Sequence, residues 1–411
     1  MPFITMRVED AVQRRSFLAG AAGVAAGVSA STQGRAEAGT RDPGRKSVHG
    51  SGAADPTAYA RTTARLREEY WTQEPAHLLP KVARHARTGA GLMAGRPDPR
   101  LAAAVAESAL LVSRIAFFDL QLGAKQVESW QDLALAAADT AGDGALGAAV
   151  LGHMAFAPAW SGRGGEARGR LDAARECASR GGAGPVIHAW LDAVASEAEV
   201  RLGNTGGAFP LLDRAADVLH PARAATGSWS ASGPPAWLDW FSGPRLDGFR
   251  GAAELAAGRT DHAKATLHRT LAGLAPDADK QRAVTLADLA AAAAAAREPE
   301  DACGLLHRVL DLVERQGYAT AVDRVRTVRA ALSPWAGERF VAELDDRLAA
   351  GHTEARRRPR PEPVQDLPVP DPVLDPVPEP VSGRPVPDPV PGPAPDPVRG
   401  LPASDLPDPA A

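Results

Sequence analysis

Apolar positions through the middle of the chain recur with the period of a helix, and the helical stretches come in pairs. Leu101–Leu120 carries a stripe of Val105, Leu110 or Leu111, Val112, Ile115 and Phe118, with Asp98-Pro99 standing where a helix start belongs. Val127–Ala138 follows as its partner. The alternation continues as Ala145–Trp160 with Ala167–Ser179, Pro185–Leu202 with Ala208–Leu219, and Leu246–Ala257 with Ala263–Leu274. Ala283–Ala296 pairs with Asp301–Gln316, and Ala319–Leu332 with Ala336–Leu348. Upstream, Thr57–Leu79 predicts one or two helices with Tyr70 and Trp71 as anchors.

Four of the breaks within pairs share one local pattern. A turn-prone cluster closes on alanine and runs into an amphipathic stretch: Gly162–Ala167, Gly203–Ala208, Gly258–Ala263 and Arg297–Ala302. The spacing is 41 residues from Ala167 to Ala208, 55 from there to Ala263 and 39 on to Ala302. A period of about 40 marks stacked helix pairs, because one pair cannot bury its apolar face alone. The expected fold is therefore all-α, a solenoid of stacked antiparallel helix pairs.

The long interval locates an irregularity. Its surplus falls in Ala222–Pro235, a Gly/Ser/Pro-rich segment without helical pattern, and long loops of this kind are often functional or disordered. Directly after it stands Trp237-Leu238-Asp239-Trp240-Phe241, the densest aromatic cluster in the chain. Such a cluster either fills a core gap where a repeat is irregular or forms a ligand pocket or partner hot spot. Trp237, Trp240, Phe241 and Arg245 are the candidate partner- or effector-binding residues. In the last pair, Val322, Val325, Val328 and Leu332 form the apolar stripe, and Asp323, Arg324, Arg326 and Arg329 lie away from it, as expected of a solvated face.

Composition narrows the class. Alanine dominates the 45% hydrophobic content, and only 5% of residues are aromatic, which favours helix over strand. A net charge of −4 supplies no basic footprint for nucleic acid. Cys177 and Cys303 are far apart, each inside a helical pattern, and read as small core residues. The histidines are scattered, and His262 and His268 do not share the i, i+4 spacing of two ligands on one helix face. No HExxH, GxSxG or Walker-type loop occurs. The expectation is a non-enzymatic protein with no metal and no cofactor.

The two ends differ from the middle. Arg14-Arg15-Ser16-Phe17-Leu18, the weakly apolar run to Ala30 and Ala36-Glu37-Ala38 together look like a twin-arginine export signal with a small-residue cleavage site. The 14 residues from Phe17 to Ala30 are too few for a membrane-spanning helix, so no transmembrane span is expected. Beyond Arg358 the chain is proline-dense, holding 19 of the 36 prolines and four Asp-Pro-Val repeats. Proline at this density excludes helix and sheet ladders. The expected organisation is a signal-like or linker segment over 1–55, a helical repeat domain over 56–350 and a disordered Pro-rich tail over 351–411. The tail reads as a spacer or as a docking segment for a proline-binding groove.

Three stretches carry a family resemblance. They are Trp237-Leu238-Asp239-Trp240-Phe241 with Leu246-Asp247-Gly248, then Ala257-Gly258-Arg259 to Leu267, then Glu298-Pro299-Glu300-Asp301-Ala302-Cys303 through Arg324-Val325-Arg326 and Leu332-Ser333-Pro334 to Glu343-Leu344-Asp345-Asp346-Arg347-Leu348. From about Pro235 to Leu348 the chain resembles the tetratricopeptide-repeat sensor region of bacterial transcriptional regulators with an Xre-type helix-turn-helix. The resemblance implies a tetratricopeptide-like superhelix and a regulatory module that binds a protein, peptide or small effector in the cytoplasm. In those regulators an Arg-Arg-x-Phe-Leu segment often links the two parts, so Arg14, Arg15, Phe17 and Leu18 carry two readings. Only 13 residues precede Arg14, too few for a helix-turn-helix, so direct nucleic-acid binding is not expected of this chain. The alternatives are a helical-repeat binding protein exported by the twin-arginine route, and a complete DNA-binding regulator whose gene starts upstream. The regulators usually carry Asp or Asn where this chain has Ser242. Oligomeric state is not legible.

Overall fold

The computed structural model describes residues 55–95, 97–219 and 234–357, and every regular element among them is helical. Helices α1 (Pro56–Glu69) and α2 (Pro75–Gly95) lead into α3 (Pro99–Arg114), which a π-turn prolongs over Ile115–Asp119. Then come α4 (Ala124–Ala141), α5 (Gly144–Met154) with the short α6 (Phe156–Trp160), α7 (Gly164–Arg180), α8 (Pro185–Arg201) and α9 (Thr205–Leu219). The second half holds α10 (Gly243–Ala256), α11 (Thr260–Gly273), α12 (Asp279–Ala295), α13 (Pro299–Gln316), α14 (Ala319–Ala331) and α15 (Arg339–Arg357). Successive hairpins pair α3 with α4, α5 with α7, α8 with α9, α10 with α11 and α12 with α13. Helix α14 stacks on α12 and α15 on α13. This is the all-α array of stacked helix pairs that the periodicity predicts.

The four turn clusters turn out to be one structural device. Gly162, Gly203, Gly258 and Arg297 all take left-handed backbone angles, with φ of 74, 80, 73 and 64°. The next residue's N–H bonds back to a carbonyl five residues earlier: Arg163 to Pro158 (2.8 Å), Asn204 to Glu199 (2.9 Å), Arg259 to Glu254 (2.8 Å) and Glu298 to Ala293 (2.9 Å). These are Schellman caps, which satisfy the last carbonyls of each first helix and need a residue tolerant of positive φ. Each closing alanine, Ala167, Ala208, Ala263 and Ala302, is fully buried, where a larger side chain would force the two helices apart.

Elsewhere the caps also follow the sequence. Asp98 accepts from the backbone N–H groups of Arg100 and Leu101 at 2.9 and 3.0 Å and starts α3. Ser242 accepts from Arg245 N and starts α10. Serine serves that position about as well as aspartate or asparagine.

One buried cluster runs from Tyr59 to Ala253 and another from Ala283 to Leu344. The stretch Pro99–Asp119 is long and apolar enough to cross a membrane by length and composition, and 78% of an 18-residue window within it is buried against its neighbours in the array.

Several boundaries differ from expectation. Helix α2 continues to Gly95, although Gly89, Gly91 and Pro80 obscure its pattern. The expected helix over Ala145–Trp160 breaks at Ala155 into α5 and α6. Helix α15 starts at Arg339, after a 3₁₀ turn at Ser333–Trp335, and runs to Arg357, beyond residue 350. Cys303 is buried, but Cys177 is only half-buried and donates to Gly144 O at 3.5 Å. Arg14, Arg15, Phe17 and Leu18, the segment over 222–233 and the Pro-rich repeats from residue 358 lie outside the described residues.

Candidate functional site

The first helices of the hairpins all face one interior space. The array coils until its last described hairpin meets its first. Thr320 Oγ1 donates to Phe118 O at 2.6 Å, Gln121 Nε2 to Asp323 Oδ2 at 2.6 Å, and Trp71 Nε1 to Asp239 Oδ2 at 3.2 Å. The contacts enclose a chamber holding about 750 Å³ of empty space, part of it open to solvent. Its wall draws on the turn after α1 (Tyr70, Trp71), the end of α3 and its π-turn (Arg114, Phe118), and α5–α6 (His153, Phe156, Trp160). It continues through α8 (Trp190, Glu197), the turn before α10 (Trp240, Phe241), α10 itself (Arg245, Phe249), α12 (Lys280, Gln281, Val284) and α14 (Thr320, Arg324).

Aromatic rings form much of this wall. His153 packs at 4.9 Å from Trp190 and 5.1 Å from Trp240, and Phe118 at 5.1 Å from Phe156 and 5.8 Å from Trp160. Trp190 sits directly over Gly152, where a Cβ would come within 2.5 Å of the indole, so only glycine lets the ring lie there. His153 is buried and its Nδ1–H donates to Ala149 O at 2.8 Å. Burial, assisted by the Arg114 charge, pushes its pKa down to about 3, so the ring is neutral and its Nε2 is left as an acceptor. The Nε1–H of Trp240 is buried without a hydrogen-bond acceptor among the described residues.

The charges around the chamber fall into pairs. Lys280 Nζ lies 2.5 Å from Asp119 Oδ1 and 3.5 Å from the centre of the Tyr70 ring. Arg114 is sandwiched between Tyr70 and Trp240, at 4.7 and 4.3 Å, and faces Asp239 at 3.9 Å. Arg201 Nε donates to Glu197 Oε1 at 3.0 Å, and Trp160 Nε1 donates to the same oxygen at 3.0 Å. Arg324 is ion-paired with Asp288. Burial raises the Glu197 carboxyl, but Arg201, Arg324 and Arg245 outweigh it and hold the group below its ordinary pKa. Burial pushes the Tyr318 hydroxyl up to about 12, aided by Asp119. Arg245 alone among these cations has no carboxylate. It lies over the Phe249 ring at 4.5 Å, and among the described residues its guanidinium makes no ion pair and no hydrogen bond.

A smaller recess of about 290 Å³ shares Arg114 and Trp240 with the chamber wall and is lined also by Trp237, Arg67 and Glu107. Arg67 bridges Glu107 at 2.7 Å and Asp239 at 3.4 Å. Burial still prevails over Arg67 and pushes the Glu107 pKa up to about 7.

Of the four candidate residues, Trp240, Phe241 and Arg245 stand in the chamber wall and Trp237 in the recess. All three aromatics are also largely buried, so they pack and line at once. The solvated face expected on α14 is corrected at two positions. Arg324 faces α12 and the chamber, and Arg329 Nε reaches Asp345 of α15 at 2.5 Å. Local periodicity places these side chains off the apolar stripe, but the neighbouring helices of the coil cover them. Arg114, His153 and Lys280 carry no motif. The available signal is a charged residue ending or opening an otherwise apolar or Ala-rich helix. No group of three or more potential metal ligands occurs among the described residues.

No protein-family model matches the chain, and no curated protein matches it. Among solved structures it is similar to the crystal structure of BtubC (BKLC) from P. vanneervenii, at 16% identity and a TM-score of 0.39, over 62% of this chain and 91% of that one.

Proposed function

We propose that this protein is a non-enzymatic, regulatory helical-repeat module that takes up a small effector in the chamber enclosed by its hairpins. The observation that carries this reading is the convergence of Trp71, Trp160, Trp190, Trp240 and Phe249, from separate hairpins, on one cavity with a few polar groups. The contacts of Thr320 and Gln121 across the coil favour a small effector over a protein or long peptide. The motif order from Pro235 to Leu348 supports a kinship with tetratricopeptide-type sensor regions.

A thermal-shift screen of small-molecule pools against the full chain tests the reading. A ligand that binds only the folded state raises the melting temperature. Gln281→Trp places bulk in the chamber without removing a hydrogen bond of the glutamine side chain. Hits that stabilise the wild type and lose their effect in Gln281→Trp support the chamber as the site. Hits that persist in Gln281→Trp, or no hits, reject it.

The Arg14-Arg15-x-Phe17-Leu18 pattern favours a second setting for the same module, outside the membrane. Fusing residues 1–45 to a reporter active only after twin-arginine export decides between the two. Export excludes the cytoplasmic regulator, and its absence excludes the exported binder. Reading the genomic frame upstream of Met1 decides whether a DNA-binding domain belongs to the gene.

A further inference from the structure

We infer that the effector is an anion, a small molecule whose carboxylate or similar acidic group docks on Arg245 while a planar apolar body lies against the aromatic wall. This rests on the chamber being an effector site. Lys280, Arg114, Arg201 and Arg324 each have a carboxylate within ion-pair distance, namely Asp119, Asp239, Glu197 and Asp288. Those four carboxylates are thereby engaged. Arg245 is the surplus cation, half-buried in the wall over the face of Phe249 at 4.5 Å, with no ion pair or hydrogen bond of its guanidinium among the described residues. Glu197 and Asp288 act on it only from a distance, and burial prevails over them. A guanidinium withdrawn from water without a carboxylate in contact is costly, and its flat fork of donors matches a carboxylate bidentately.

The rest of the wall fits the same ligand. Neutral His153 brings no competing charge, and the indole and phenyl faces suit a planar body. The nearby Arg324 adds positive potential even while paired. A cationic ligand would meet the opposite: each acidic group near the chamber already has its own cation.

Two probes with the same ring separate charge from shape: 2-naphthoate and the neutral 2-naphthalenemethanol. Their affinities for the full chain are read from quenching of tryptophan fluorescence and from calorimetry. The expected result is that naphthoate binds about tenfold more tightly or better, as one charge-assisted contact provides. Arg245→Gln should abolish that preference by weakening naphthoate alone, Arg245→Lys should keep part of it, and Gln281→Trp should lose both probes. Equal affinities in the wild type, or a preference that survives Arg245→Gln, overturns the anion assignment and leaves the effector site standing. Failure of both probes to bind, or binding unchanged in Gln281→Trp, overturns the site and the assignment together.

Discussion

Lys280 at the start of α12 and Asp119 at the end of the π-turn form an ion pair of 2.5 Å with both side chains buried. The two residues lie in different hairpins, far apart in the chain. Burial pushes the Asp119 carboxyl up and the Lys280 amine down, and each opposes the other's shift. The pair is a clamp between the early hairpins and α12, and with Thr320 and Gln121 it closes the chamber.

Removing one member strands the other. Lys280→Met should destabilise the fold by about 3–5 kcal/mol, because an unpaired buried carboxylate remains. The double substitution Lys280→Met with Asp119→Leu should recover most of that loss, since a matched apolar pair can replace a buried ion pair at little cost. Urea denaturation of the two single variants and the double gives the coupling directly. Additive losses would show that the two groups do not depend on each other.

Arg297 occupies the left-handed position that glycine holds in the other three turn clusters, at φ 64°. A residue with a Cβ is strained there by roughly 1 kcal/mol or more. Its contact with the Trp335 ring, 5.9 Å away, returns only part of that. Arg297→Gly should therefore stabilise the protein by about 0.5–1 kcal/mol, read as a higher urea midpoint at unchanged slope. The reverse change, Gly203→Arg, should destabilise by a similar amount.

These turns also explain what the sequence reveals and what it hides. A Schellman cap and a buried closing alanine are set within six residues, so Gly162–Ala167 and its three counterparts announce the hairpins. The aromatic cluster at Trp237–Phe241 marks the break in period, and Trp240 and Phe241 in it, with Arg245 just after it, stand in the chamber wall. Arg324 shows the limit. On its own helix it sits among charges and off the valine stripe, and only the stacking of α14 on α12 sets it against Asp288. Lys280 and Asp119 are hidden for the same reason, because their partnership is made by closure of the coil and not by any local spacing.

Glu107 gives the recess a pH dependence with a definite sign. Its pKa is about 7 in the fold against 4.5 ordinarily, because burial outweighs the Arg67 charge. A raised acid binds its proton more tightly in the folded state. Its contribution is whole below pH 4.5 and is lost as pH rises through 7. The full span is about 3 kcal/mol by linkage, on the order-of-magnitude scale of such shifts. Glu107→Gln should remove that slope, so the stability difference between wild type and variant should change between pH 4.5 and 7 and be flat on either side. Denaturant titrations across pH 4–8 measure it, and a constant difference would place an ordinary carboxylate at Glu107.

Arg245 offers a test in which stability and binding move in opposite directions. Without ligand, its guanidinium is half-buried over Phe249 with no carboxylate in ion-pair contact, and burial outweighs the distant pull of Glu197 and Asp288, a net burden on the fold. Methionine fills similar volume and keeps contact with the ring. Arg245→Met should therefore raise the stability of the free protein by about 1 kcal/mol, after allowing for the lost cation–π contact. With saturating 2-naphthoate the order should narrow or invert, because the wild type gains binding free energy that the variant has given up. Paired denaturation curves with and without the probe make the comparison. A variant less stable than wild type in both conditions would mean that Arg245 serves the fold and not a ligand. The expected crossing instead fits a site kept slightly unstable when empty, since the cation that weakens the free chamber is the one that recognises its occupant.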